Sequence, residues 1–183
     1  AIPVINVIDP VVNKVDGSKH SSIGVIGTRA TINSDEYRKR IQKKDAKIEV
    51  RSMATPLLVP LIEEHIMDDE IGQLIIRKYL SQPQLDKIDA LILGCTHYPL
   101  LKTKIEKHYN GKVEVFDSAN IVGKEVRDFL KKENMESDSQ NPDHSFYVTD
   151  FTPSFEKNTR DFFGQKINLQ EIDLWRSLKP GTV

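Results

Sequence analysis

Five times along this chain a short apolar run is followed by Thr, Ser or Asp and then by a helical periodicity. In "SSIGVIGTRATINSDEYRKRIQ", Ile23–Gly27 reads as a strand. Asn33 reads as the N-cap of the helix after it, with Glu36 three residues on in capping-box spacing. "KIEVRSMATPLLVPLIEE" repeats the pattern, with Thr55 before Pro56 in cap-then-proline order and Pro60 inside the helix they begin. "DALILGCTHYPLLKTKIEKHY" and "KVEVFDSANIVGKEVRDFLKK" are the third and fourth units. The fifth, "HSFYVTDFTPSFEKNTRDFFG", closes on Gly164 as a helix C′ residue. Asp69–Leu80 adds a helix whose apolar stripe is Ile71, Leu74, Ile75 and Tyr79. Strands alternating with helices restrict the fold to α/β, a largely parallel sheet with helices on both faces.

Polar stretches interrupt this pattern. "NKVDGSKHS" reads as an exposed loop, as does "KENMESDSQNPD" at Lys132–Asp143, which also suits a connection between domains. His20, His108 and His144 lie in polar contexts and are expected at the surface, and Lys179–Val183 is expected to fray. With 26 basic against 27 acidic residues, and no basic run interleaved with aromatics, nothing favours a nucleic-acid partner. No apolar run approaches the roughly 18 residues of a membrane span, so no membrane partner is expected. A single cysteine excludes an internal disulfide framework and a multi-thiolate metal site, and favours a reducing, cytoplasmic setting. Neither a metal cluster nor a dinucleotide fingerprint is visible, since Gly24 and Gly27 do not supply one.

That cysteine, Cys95, falls at the end of the apolar run Ala90–Leu93, with His97 two residues later. Ligands of open α/β sheets bind outside the carboxyl ends of the strands. A helix N-terminus there favours an anion, so a depressed thiol pKa is expected. The competing reading is a small, inert core residue.

"GCTHYPLL" after an apolar strand resembles the second-cysteine motif of glutamate racemases, in the aspartate/glutamate racemase family. "IGVIGTRATINSDEY" is similar to the family's Gly-Thr-x-x-Thr segment, "TPLLVPLIEE" to its Pro-Leu-Val-Glu segment and "VFDSA" to its Asp-Ser stretch. The likeness extends over about residues 1–165. It implies an aspartate/glutamate racemase-like domain, cofactor-independent interconversion of L- and D-glutamate for peptidoglycan, and a homodimer. Family members have two α/β domains, each supplying one cysteine. The first domain's Asp-Ser and Cys-Asn-Thr motifs do not occur here. Residues 10–118 are therefore expected to be the second domain. Residues 1–9 and 119–183 would complete a first domain whose opening stretch, roughly ninety residues by the usual size of such a half, is missing.

By the same resemblance, Cys95 is the base acting on L-glutamate. His97 orients it or stabilises developing charge, and Glu63 tunes the pair. Thr96, Thr28 and Thr31 bind the substrate. Read from the residues alone, Glu63 equally fits a solvated helix face, and Thr28 and Thr31 equally fit a turn or a cap. Two other readings stay open. One is a related enzyme, such as an aspartate racemase or a single-cysteine decarboxylase. The other is a non-catalytic amino-acid-binding module.

Overall fold

A computed structural model describes residues 2–139, 142–165 and 167–174 and divides the chain into two compact units, Ala1–Glu136 and Ser137–Val183. The first unit runs α1 (Asp9–Lys14), β1 (Ser22–Gly27), α2 (Arg29–Ser34), α3 (Glu36–Lys44), β2 (Glu49–Ala54), α4 (Leu58–Glu63) and α5 (Glu70–Leu80). It continues through β3 (Ala90–Gly94), a 3-10 helix (Tyr98–Leu101), α6 (Lys102–His108), β4 (Glu114–Asp117) and α7 (Ser118–Lys132). The four strands form one parallel sheet in the order β2-β1-β3-β4.

Side chains alternate across this sheet with period two. Ile26, Leu91 and Leu93 pack with Leu58, Leu61 and Ile62 of α4, Ile76 and Leu80 of α5, and Ile105 of α6. Ile23, Val25 and Ile92 face the other way, onto Val11 and Val12 of α1 and Tyr37 and Ile41 of α3. Burying each of these large aliphatic side chains contributes about 1.5–3 kcal/mol. β1 and β3 are buried on both faces, so they read as unbroken apolar runs.

Helix starts differ from the expectation. Thr28, not Asn33, caps the first helix, its hydroxyl accepting from the Thr31 N–H. Asp35 in the left-handed region then splits the expected single helix into α2 and α3. Thr55 is not a cap: α4 begins three residues later, and Pro60 lies in its first turn, where the missing N–H costs nothing. In α5 the expected stripe is rotated. Ile71 and Leu74 are 67% and 57% exposed, whereas Gly72, Ile76 and Leu80 face inward. The cause is a backbone approach at Gly72, where a β-carbon would lie 2.0 Å from the Ile66 carbonyl oxygen. His20 is buried rather than exposed. Its Nδ1 accepts from the Asp16 N–H, its Nε2 lies 3.0 Å from Glu114, and its ring meets Phe116 edge-on.

The second unit contains β5 (Phe146–Val148), α8 (Pro153–Phe163) and β6 (Leu169–Glu171). β5 and β6 pair with each other, in parallel. Gly164 ends α8 in the left-handed conformation, as expected. Lys166 and the tail Lys179–Val183 lie outside the described residues.

Candidate active site

In the order β2-β1-β3-β4, the connections leave β1 and β3 towards opposite faces of the sheet. A crevice opens at such a point, at the carboxyl ends of the strands. Gly27 and Gly94 are register partners there, so Thr28 and Cys95 each follow one member of a paired rung. Both positions are crowded. A β-carbon on Gly94 would meet the Ile26 carbonyl oxygen at 2.9 Å and Tyr37 at 3.3 Å, and one on Gly27 would meet Thr31 at 3.1 Å.

The thiol loop brings three of the expected residues together. Cys95 Sγ lies 3.9 Å from His97 Nδ1, at the outer limit for a hydrogen bond to sulfur, and His97 Nε2 lies 3.0 Å from Glu63 Oε1 at the end of α4. A proton on Nε2, directed at the carboxylate, would leave the Nδ1 lone pair for the thiol. His97 is 30% exposed and Glu63 47%, so this chain of groups runs from a half-buried sulfur outward to water.

Thr28 and Thr31 form a separate pair across the crevice, their hydroxyl oxygens 3.0 Å apart at the start of α2. Thr28 is thus a helix cap, and its remaining lone pair and the Thr31 hydroxyl are what it can offer a ligand. Thr96 sits exposed on the thiol loop.

Burial pushes the Cys95 thiol above its ordinary pKa, opposite to the expectation. The backbone N–H groups of His97, Tyr98 and Thr96 pull it down, and the Glu63 charge pushes it up. The physical reason is local. A 3-10 turn, not an α-helix, follows the cysteine, so the aligned dipole is short while desolvation is large. An unaided thiolate is therefore scarce, and ionisation needs an acceptor such as His97.

Sequence reasoning missed the polar groups beneath the site. Burial raises the phenols of Tyr37 and Tyr98 to about 12, so both stay neutral. Tyr98 is bonded to Thr55, whose Thr-Pro context suggested a cap. Asp117 caps α7 through the Asn120 N–H, and the Ser118 hydroxyl donates to the Leu93 carbonyl, fixing the end of β3 beside the cysteine. Among the described residues, no group of three His, Cys, Asp or Glu side chains could hold a metal ion, and no helix is long and apolar enough to cross a membrane.

Residues 1–126 match the family model described as Asp/Glu/Hydantoin racemase. A glutamate racemase of Persephonella marina is 42% identical over 174 residues, 94% of this chain and 64% of that protein. One from Streptococcus gordonii is 36% identical, covering 94% and 66%. Among solved structures, glutamate racemase from Francisella tularensis in complex with D-glutamate superposes with a TM-score of 0.87 at 37% identity, covering 96% of this chain and 66% of that one. Glutamate racemase isoform RacE1 from Bacillus anthracis gives 0.86 at 35% identity. The chain thus spans slightly under two thirds of the length of these relatives.

Proposed function

The chain belongs to the Asp/Glu/hydantoin racemase family, and on that premise we propose that the protein carrying these residues interconverts L- and D-glutamate for peptidoglycan synthesis, with no cofactor. Racemisation removes an unactivated α-proton and returns one to the opposite face, so two bases must flank the α-carbon. Cys95 is one of them. The second lies outside these 183 residues, which hold no other cysteine. Residues 10–118 then form the domain bearing Cys95, and 1–9 with 119–183 belong to the other domain of a two-domain enzyme.

The observation that carries the reading is the Cys95–His97–Glu63 chain at the end of β3. His97 Nδ1 accepts the thiol proton, the Glu63 carboxylate stabilises the resulting imidazolium, and the Cys95 thiolate removes the α-proton of L-glutamate. In the reverse direction the Cys95 thiol donates. Thr96, Thr28 and Thr31 bind the substrate's carboxylate and amine at the crevice. Relatives named as glutamate racemases over most of the chain favour glutamate over aspartate racemisation or decarboxylation. We also place the protein in the cytoplasm as a homodimer, which sedimentation velocity tests.

The function is tested by following the optical activity of D- and L-glutamate with the complete protein and its Cys95→Ser variant. The substitution should lower kcat by about 100-fold or more in both directions, the scale of a lost proton-transfer group. Full activity in the variant excludes the role given to Cys95. The 183-residue chain by itself should not racemise glutamate.

A further inference from the structure

α5 and α6 pack against each other, and between them lies a cleft of about 470 Å³, within the range of small-molecule sites. Ile76 and Arg77 line it from α5, and Thr103, Lys104, Lys107 and His108 from α6. Thr103 and Lys107, and Lys104 and His108, are i,i+4 pairs, so one face of α6 turns to the cleft. No carboxylate is among the lining residues. The one carboxylate of α6, Glu106, pairs instead with Lys102 at 3.8 Å, and Lys104 is engaged by Asp68. No ion pair among the described residues uses Arg77 or Lys107. Arg77 and Lys107 thus bring to the cleft two positive charges that no carboxylate balances, beside the buried Ile76, in a chain whose net charge is −1.

From this geometry we infer that the α5–α6 cleft binds a phosphate-bearing small molecule, at a site separate from the Cys95 crevice. The planar guanidinium of Arg77 suits two oxygens of a tetrahedral anion, and Lys107 supplies a point charge beside it, while Lys104 is held by Asp68. The two unbalanced charges match a phosphate dianion, whereas a single carboxylate would leave one of them unbalanced. Burial holds the His108 imidazole below its ordinary pKa, against the opposing effect of the Leu80 carbonyl, so it adds no charge to the cleft, and the Thr103 hydroxyl can donate to an ester or terminal oxygen. Ile76 receives the apolar part of the ligand.

The test titrates the 183-residue chain with pyrophosphate, inorganic phosphate, succinate and chloride at constant ionic strength, reading heat and the NMR signals of the His108 ring. Saturable binding is expected, with pyrophosphate about tenfold tighter than phosphate, and with no saturation by chloride. Arg77→Ala/Lys107→Ala should weaken pyrophosphate at least about tenfold, the scale of two partly exposed charge contacts. Arg77→Lys should weaken binding less than Arg77→Ala, since it keeps the charge and loses only the two-point contact. Lys107→Glu, which adds a carboxylate to the cleft, must weaken binding too. Unchanged affinity in either the double-alanine or the Lys107→Glu variant overturns the assignment. So does succinate binding as tightly as pyrophosphate, or a response that follows salt concentration without saturating.

Discussion

The phenol oxygen of Tyr98 lies 2.7 Å from the hydroxyl of Thr55, and neither residue has any exposed surface. The Tyr98 hydroxyl donates to the Thr55 carbonyl at 3.1 Å, and the Thr55 N–H donates to the Gly27 carbonyl at 2.9 Å. The Tyr98 N–H in turn reaches the Cys95 carbonyl at 3.1 Å. One buried knot thus ties the ends of β1 and β2 to the turn that carries the thiol.

Tyr98→Phe should therefore cost about 1–2 kcal/mol, the usual scale for a buried hydrogen bond lost without a replacement partner. Urea unfolding of the chain measures it as a lower midpoint at unchanged slope. An unaltered midpoint would mean that the hydroxyl pair adds nothing to stability.

Two glycine substitutions should act with opposite sign. Gly94→Ala drives a β-carbon against the Ile26 carbonyl and should destabilise by about 1–3 kcal/mol, as overpacking does. Gly123 lies within α7 with nothing near its β-position, so Gly123→Ala should stabilise by about 0.5–1 kcal/mol through helix propensity. Thermal melts of the two variants beside the parent chain decide both.

The thiol provides a pH test. Burial raises the folded-state pKa of Cys95, so the folded state favours the neutral thiol. The stabilising contribution is present below the ordinary thiol pKa and is lost as pH rises through the higher folded value. Iodoacetamide should accordingly reach half its maximal rate at higher pH on the folded chain than on the chain in urea. By the proton transfer proposed for His97, Glu63→Gln removes the support of the imidazolium and should move the folded profile to higher pH; a move to lower pH would show that the carboxylate acts on the thiolate only as an opposing charge. A profile unmoved by Glu63→Gln would disconnect the carboxylate from the sulfur.

In the complete protein, His97→Asn should reduce kcat more from L- to D-glutamate than in reverse, because Cys95 begins the first of these. Equal losses in kcat would argue against a role local to Cys95. The ratio of the two kcat/KM values is fixed by the equilibrium and cannot be used.

Apolar runs bounded by Thr, Ser or Asp made β1 and β3 legible, because strands buried on both faces carry no alternation, and β2 and β4 followed from the recurring strand-then-helix order. The position of Cys95 at a strand end was equally plain, and the resemblance drew Glu63 and His97 towards it. What stayed hidden depended on contacts distant in sequence. Thr28 and Asn33 are both good caps, and only the left-handed turn at Asp35 decides between them. The inward face of α5 is set by the Ile66 carbonyl pressing on Gly72, which no periodicity records. The thiol pKa depends on how much solvent the folded loop removes, and Thr55 reveals its role only once Tyr98 is beside it.

The outward run from Cys95 through His97 to the half-exposed Glu63 also bears on isotopic memory. A hydrogen lifted from a substrate by this sulfur has a short route to bulk solvent before the reverse transfer takes place. Carbon-bound deuterium taken up at Cys95 should thus be diluted into water rather than handed back to the carbon it came from. On the role proposed for Cys95, L-glutamate labelled at its α-position would lose its label even when it leaves with its original handedness.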